Sequence, residues 1–443
     1  MVSKKEKDLM IARLDKIVNL SSTLENIVNK IPFDGLGVDK IKKFMINEIF
    51  NMDEIKMIAN QVKNRRAPRI VLIGPTGVGK SSLLNALLGS YCAEVSHVEV
   101  GTKRSQPYQY KKNGEVVFEI LDSRGIAEYK QAGEINAEEQ LKKDILEFVP
   151  DAVLFLKRCK ERSHFNEDIA FLKRLQVEEK FQTPVICVLS QTDEVEDSVL
   201  KLPHQYNESK LGRIEKETNK MLQALAEQSL NVVGVIPVSS YIKWKNADGD
   251  DVEDVEDLNE EEKAELEISV DGRYNIDQLE KLILDKICSE AAIDMALNTN
   301  VLKLQSLVSR QLIKGFSSAA GTVSTLSPPV GDIVIITSLQ VCLVSMIAYI
   351  SGKELTAKEA IAFISGLGGV GVAAVLFRAL SGSLIKIIPG AGQVISGGIA
   401  SIGTAAIGFA AEARYIANSP LEDVKKVFKF YADNKNDGQM EAS

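Results

Sequence analysis

Apolar positions recur at helical spacing through residues 1–64. Leu9, Ile11, Leu14, Ile17 and Val18 form one face, and Leu24, Ile27 and Val28 continue it, a pattern that predicts helix. Pro32 and Asp34-Gly35 break the run. A second helical stretch passes through Ile41, Phe44, Met45, Ile46 and Ile49. This arm either packs on the C-terminal helices or serves as a self-assembly or partner helix. From 68 to 240 the rhythm changes to short apolar runs alternating with amphipathic stretches, the pattern of a sheet with crossover helices. Strands are expected at 70–73, 116–121, 153–156, 185–189 and 232–238, with 107–112 folding back on 116–121 through Asn113-Gly114. The expected fold is α/β, with a mostly parallel sheet and one antiparallel edge strand.

The pattern changes again after residue 312. No charged residue lies between Ile333 and Ile350 or between Ala360 and Phe377, and 384–411 carries only Lys386. Gly366, Gly368, Gly369, Gly371, Gly390, Gly392, Gly397, Gly398, Gly403 and Gly408 are dense here, as suits close helix contact. Pro328-Pro329, Gly352, Ser381-Gly382 and Pro389-Gly390 mark helix ends. Helices apolar all round are either buried in a bundle or face lipid. Several near-uncharged segments together favour membrane contact, as spans or as a shallow hairpin. Residues 246–263 are an acidic insert that lacks the spacing of an EF-hand and reads as a solvated, flexible loop. The expected division is a helical arm at 1–64, an α/β domain at 65–290, an all-α hydrophobic domain at 291–420 and a polar tail at 421–443.

Composition narrows the classes. The net charge of -8 over 443 residues argues against a general nucleic-acid binder. The five cysteines and three histidines show no C-x-x-C pair and no metal-ligand spacing, which fits a reducing compartment and gives no zinc site. Lysines near the N-terminus precede no apolar stretch of the secretory kind.

The chemistry concentrates at strand ends. Gly74-Pro75-Thr76-Gly77-Val78-Gly79-Lys80-Ser81, followed by Ser82, has the G-x-x-x-x-G-K-S spelling of a phosphate-binding loop, between a strand and a helix as that motif requires. Its glycines let backbone N–H groups ring a phosphate, and the helix N-terminus adds positive potential. Lys80 is expected to reach the β- and γ-phosphates, and the Ser81 hydroxyl to hold Mg²⁺. Asp122-Ser123-Arg124-Gly125 follows the 116–121 strand. Asp122 is a second expected Mg²⁺ group, and the Gly125 N–H can sense the γ-phosphate. Thr102 lies between these motifs and is expected to close over the metal, with Ser105 as the substitute. Ser190-Gln191-Thr192-Asp193 ends the 185–189 strand. The Asp193 carboxylate can accept from guanine N1 and N2, a donor pair that adenine lacks. Ser239 and Ser240 end the next strand, where a backbone N–H can meet guanine O6.

In this order and at these strand ends, G-P-T-G-V-G-K-S, Thr102, D-S-R-G, S-Q-T-D and V-S-S resemble a translation-factor-class GTPase of the Era-like family. The stretch S-P-P-V-G-D-I-V-I-I-T-S-L-Q with K-I-I-P-G-A-G-Q-V-I-S-G-G-I-A resembles the hydrophobic domain that follows such GTPase domains in many bacteria. It is also similar to the helical part of immunity-related GTPases. The resemblance implies a P-loop GTPase hydrolysing GTP to GDP and phosphate, with Mg²⁺ as cofactor. Lys80, Thr102 and Gly125 would be the catalytic set, and Gly74 to Ser82 with Gln191, Asp193, Ser239 and Ser240 the nucleotide contacts. Two motifs depart from the family pattern: Ser123 and Arg124 stand where D-T-P-G is usual, and Ser190 and Gln191 where N-K is usual. Ile126 occupies the place of a water-orienting Gln, so slow intrinsic hydrolysis is expected. Arg124 is either a cation for the transition state or a solvent-facing residue. The expected partners are GTP or GDP, membrane lipid and a second copy of the chain as a homodimer, with no nucleic acid. The expected location is the cytoplasm, in peripheral or integral association with the cytoplasmic face of a membrane. The alternatives are a membrane scaffold with negligible turnover and, more weakly, an assembly factor for ribosomal RNA.

Overall fold

A computed structural model describes residues 4–18, 60–91, 93–95, 107–112, 115–123, 137–160, 166–196, 198–255, 257–326, 329–368 and 397–433. The chain divides into two compact units, one of Arg65–Thr299 and one of Val2–Asn64 with Asn300–Ser443. The α/β unit therefore runs past residue 290 and takes in the helix Ser289–Thr299.

The α/β unit is built on a seven-stranded sheet of order β2-β3-β4-β1-β5-β6-β7. Its strands are β1 (Arg69–Ile73), β2 (Ala93–Val95), β3 (Pro107–Lys112), β4 (Glu115–Ser123), β5 (Ala152–Arg158), β6 (Val185–Ser190) and β7 (Gly234–Pro237). β1, β4, β5, β6 and β7 pair in parallel, and β3 runs antiparallel to both neighbours. The expected antiparallel strand is present but does not form the edge, because the short strand β2 pairs outside it.

Both faces of the sheet are covered, as a parallel sheet requires. Val71, Ile73, Leu121, Val153 and Phe155 share one buried cluster with Leu141, Ile145, Ile169, Leu172 and Ile214 from the helices Ala137–Phe148, Asn166–Glu178 and Glu208–Glu227. The alternate residues Ile70, Leu72, Ile120, Leu154 and Leu156 are also fully buried. This two-sided burial explains why these strands read as continuous apolar runs in the sequence.

The chain then forms a second, three-stranded antiparallel sheet of order β10-β8-β9. Its strands are β8 (Ser239–Lys245), β9 (Asp251–Val252) and β10 (Glu267–Tyr274). The acidic stretch thus carries β9 and the short helix Glu260–Ala264, which Asn259 caps through the N–H groups of Glu261 and Glu262. Arg273 of β10 donates to Ala86 O at 3.1 Å. Its cation therefore lies at the C-terminus of the helix Lys80–Leu88, where the helix dipole favours positive charge.

The helical unit includes Lys4–Val18, Val301–Leu326, Pro329–Ile350, Ala357–Gly368, Gly397–Ala411 and Leu421–Asp433. Gly408 marks a close approach, since a Cβ there would sit 2.5 Å from Ile313 and 3.1 Å from Leu343. The helix Pro329–Ile350, uncharged after Asp332, buries Val341, Cys342, Leu343, Val344, Ile347, Ala348 and Ile350 completely within its own unit. Burial in a bundle accounts for its apolar character there, the alternative to facing lipid that its sequence left open. Among the described residues no helix is long and apolar enough to cross a membrane. The tail, amphipathic and then polar in its sequence, begins with the helix Leu421–Asp433, whose Val424 is fully buried. The expected helices around 24–28 and 41–49, and the apolar segment 369–396, lie outside the described residues.

Candidate functional site

The connections leaving β1 and β4 run to opposite sides of β1, where the order is β4-β1-β5. A crevice opens at such a switch point, at the carboxyl ends of the strands. The phosphate loop occupies it. Gly74 follows β1 directly, and a Cβ on it would stand 2.6 Å from Leu156 O of β5, so only glycine fits. Val78 N donates to Pro75 O at 3.2 Å. Gly77 occupies the third position of this turn with φ +73°, where a type II turn requires glycine.

Gly79, at φ 95°, leads into the helix Lys80–Leu88 and offers no side-chain cap. The first N–H groups of the helix are therefore available to an anion. Lys80 Nζ folds back onto the loop, donating to Gly74 O at 2.8 Å and to Pro75 O at 3.4 Å. It also stands 3.4 Å from Asp122 Oδ1. The β1–β4 register sets that approach by pairing Leu72 with Asp122 and Ile73 with Ser123. Thr76, Gly77, Ser81 and Ser82 are exposed.

The carboxylate of Asp122, held beside Lys80, and the exposed Ser81 hydroxyl are hard oxygen donors at one edge of the loop, a set that fits Mg²⁺ with a phosphate. Two of the expected residues, Thr102 and Gly125, lie outside the described residues, as do Arg124, Ser105 and Ile126.

The other end of the crevice is built from β6 and the turn after it. Gln191 adopts a left-handed conformation at φ 57°, and a single 3-10 turn, Thr192–Glu194, follows. Asp193 is 7% exposed, and its Oδ1 accepts the Ser239 hydroxyl at 2.7 Å. The Ser239 oxygen in turn accepts Tyr241 N–H at 3.1 Å. Lys210 is completely buried beneath this turn. It donates to Asp193 O at 2.6 Å and Leu200 O at 2.7 Å, and its Nζ lies 4.6 Å from the Tyr206 ring centre. These partners offset the cost of burying an ammonium group. Burial pushes the neighbouring Tyr206 phenol up to about 12.

A cleft of about 670 Å³ joins the two ends, lined by Val78, Gly79 and Ser82 on one side and Gln191, Asp193, Ser240 and Tyr241 on the other. The structure therefore brings the phosphate loop, Asp122, Gln191, Asp193, Ser239 and Ser240 together around one crevice. The two departures at Ser190 and Gln191 both tie into the loop. Ser190 Oγ donates to Val78 O at 2.7 Å and Gln191 Nε2 to Gly77 O at 3.0 Å.

Sequence reasoning missed Arg158 and Lys210. Arg158 ends β5 and donates to Gly77 O at 3.0 Å. A cation at a strand end facing the crevice was the available signal for it. Lys210 sits on an amphipathic helix with no sequence mark of burial.

A glycine-rich loop between strand and helix, with an aspartate at the end of β4 on one side and a turn carrying a buried aspartate at the end of β6 on the other, is the layout of a P-loop GTPase domain. The chain has an α/β P-loop domain followed by a helical region, and it is similar to GTPases. Residues 69–191 match the family model described as 50S ribosome-binding GTPase. The chain is 28% identical over 229 residues to the tRNA modification GTPase MnmE of Mycoplasma genitalium, covering 48% of each chain. It is 30% identical over 183 residues to GTPase Der of Campylobacter hominis, covering 40% of this chain and 38% of that one. The chain thus spans less than half the length of these curated relatives. A solved chain of an oligomerised bacterial dynamin pair aligns with 95% of this chain and 72% of its own at 11% identity, with a TM-score of 0.26. That score is too low to carry an argument. The Era-like expectation is thereby met at the coarser level of a P-loop GTPase domain similar to MnmE and Der.

Proposed function

We propose that the protein is a nucleotide-driven switch that hydrolyses GTP to GDP and phosphate and passes its nucleotide state to the helical unit. The observation that carries this reading is the single crevice with Lys80 and Asp122 at one end and Asp193 on Ser239 at the other. In this reading Lys80 and the loop N–H groups bind the phosphates, and Asp193 accepts the guanine N1 and N2 donors. A carboxylate so deeply placed rejects adenine because adenine lacks the N1 and N2 donors it would receive from guanine. The Ser81 hydroxyl and the Asp122 carboxylate hold Mg²⁺, which when bound neutralises phosphate charge. Thr102 and Gly125 answer to the γ-phosphate, and residues 100–105 and 122–128 order and release with it. The helical unit is the effector. It associates peripherally with lipid at the cytoplasmic face of a membrane, and a second copy of the chain is its partner in a homodimer. The near-uncharged runs 360–377 and 384–411, the latter with Lys386 alone, support that part of the reading.

Two measurements test it. Native protein should bind GDP and GTP in Mg²⁺, and Lys80→Ala should bind them far more weakly. Equal affinity in both would remove the loop from the account. Vesicle flotation in GDP, in a non-hydrolysable GTP analogue and without nucleotide tests the coupling. Lipid binding that changes with the nucleotide is expected, whereas no flotation in any state would sink the membrane role.

A further inference from the structure

We propose that Arg158 is a positioning residue of the nucleotide site, clamping the Gly77 carbonyl together with Gln191 so that the phosphate loop keeps its receptive shape. The inference rests on the GTP-site reading above. A loop that cradles phosphate must aim N–H groups inward, so its carbonyl oxygens need donors on the outer side. Two consecutive carbonyls of this loop are satisfied from outside it. Val78 O accepts Ser190 Oγ at 2.7 Å. Gly77 O accepts two donors, Arg158 Nη2 and Gln191 Nε2, each at 3.0 Å.

These donors leave adjacent strand ends, since Arg158 of β5 pairs in register with Ser190 of β6. The contact is close: a Cβ on Gly77 would lie 2.8 Å from Arg158 Nη2. The Nε of Arg158 is buried without a hydrogen-bond partner, and among the described residues its guanidinium has no carboxylate partner. A side chain placed for its own stability would make more of its five donors. This one commits a terminal nitrogen to the turn of the phosphate loop, and the guanidinium remains on the wall of the nucleotide cleft. A charged donor makes this the stronger half of the clamp, with the Gln191 amide the neutral half.

A positioning role and a catalytic one differ in kinetics. A clamp on the loop acts on GDP and GTP alike, which raises dissociation rate and KM and leaves kcat nearly unchanged. The test uses the full chain with Arg158→Ala, Arg158→Lys and Gln191→Ala. The readouts are dissociation of a fluorescent N-methylanthraniloyl GDP in Mg²⁺ and steady-state GTP turnover. Arg158→Ala should speed dissociation on the order of 10-fold, the worth of one charge-assisted hydrogen bond at a half-exposed site. kcat should stay within about twofold, and Arg158→Lys should restore part of the effect. The Arg158→Ala/Gln191→Ala double variant should lose more than the product of the single losses, because each donor covers for the other on one oxygen. Unchanged dissociation in Arg158→Ala would overturn the proposal, as would a fall in kcat with dissociation unchanged. Arg158→Lys carries the same test if the alanine variant does not fold. Lys80→Ala separates the two levels. If it loses nucleotide while Arg158→Ala does not, only the clamp fails. If native protein binds no guanine nucleotide, the site reading itself fails.

Discussion

Ser239→Ala is the sharpest probe of the base end. The change removes one oxygen and leaves the backbone and Cβ in place. That oxygen makes two bonds, donating to Asp193 Oδ1 at 2.7 Å and accepting Tyr241 N–H at 3.1 Å. Ser239 is fully buried and Asp193 is 7% exposed, so water cannot simply take over at the carboxylate. A hydrogen bond to a charged group is worth about 1.5–3 kcal/mol net. Tyr241 is part-buried on the wall of the open cleft, where water can take the place of the lost acceptor, so that loss adds little. The carboxylate freed from Ser239 no longer presents a fixed edge to guanine. At about 1.4 kcal/mol per decade, GDP affinity should fall roughly 10- to 100-fold. GDP and GTP should lose equally, with kcat unchanged, because the base is common to both states. Calorimetric titration with GDP and with GTP measures this directly. The Asp193→Ala background is the control: Ser239→Ala should cost little there, since its effect runs through Asp193. Additive losses in the double variant, or GDP affinity within twofold of native in a folded Ser239→Ala protein, would refute the reasoning.

Three further outcomes follow from the same structure. Gly74→Ala should destabilise the protein by about 1–3 kcal/mol and abolish nucleotide binding, because its Cβ meets Leu156 O, a backbone atom of a central strand that cannot yield; thermal unfolding and GDP titration check it. Burial pushes the thiols of Cys187 and Cys342 up to about 12 and that of Cys159 up to about 11, from 9.0. Below about pH 9 both states keep these protons, whereas above it the unfolded chain loses them first, so stability should fall as pH rises toward 12, by up to about 1.4 kcal/mol per pH unit per thiol. Urea titrations across that range test the slope, and iodoacetamide at pH 8 should label the exposed Cys288 before these three. Burial pushes the Asp151 carboxyl up, but hydrogen bonds from Arg66 and from Arg69 N–H outweigh it and hold the group below its usual 3.8. Its stabilisation is present above that value and is lost as pH falls through the folded pKa, so Asp151→Asn should cost about 1–3 kcal/mol at neutral pH and flatten the acid limb of a stability profile.

The phosphate loop was legible because its requirement is local: glycines at Gly74, Gly77 and Gly79 answer backbone constraints within one turn. The parallel strands were legible because two-sided burial writes unbroken apolar runs. Asp193 was legible from its place at a strand end. The three-stranded sheet β8–β10 was not foreseen, although Ile268, Val270 and Tyr274 alternate with Glu267, Ser269, Asp271 and Arg273 in the period of a half-buried strand. The acidic run between its strands drew the reading toward a loop. Arg158 and Lys210 were missed for another reason. Each meets its partner only through tertiary packing: Arg158 reaches back to Gly77, and Lys210 reaches carbonyls across a turn. Nothing in local spacing encodes either contact.

The strand order has one more consequence. The phosphate loop leaves β1, the turn proposed to read the base leaves β6, and β5 alone lies between them. Neighbouring strands are about 4.8 Å apart, so the two ends of the crevice are separated by roughly 10 Å. The sheet therefore works as a ruler whose gauge is strand count, not side-chain choice. Point substitutions can loosen the grip at either end of the crevice, but the length of ligand it accepts is written into the topology.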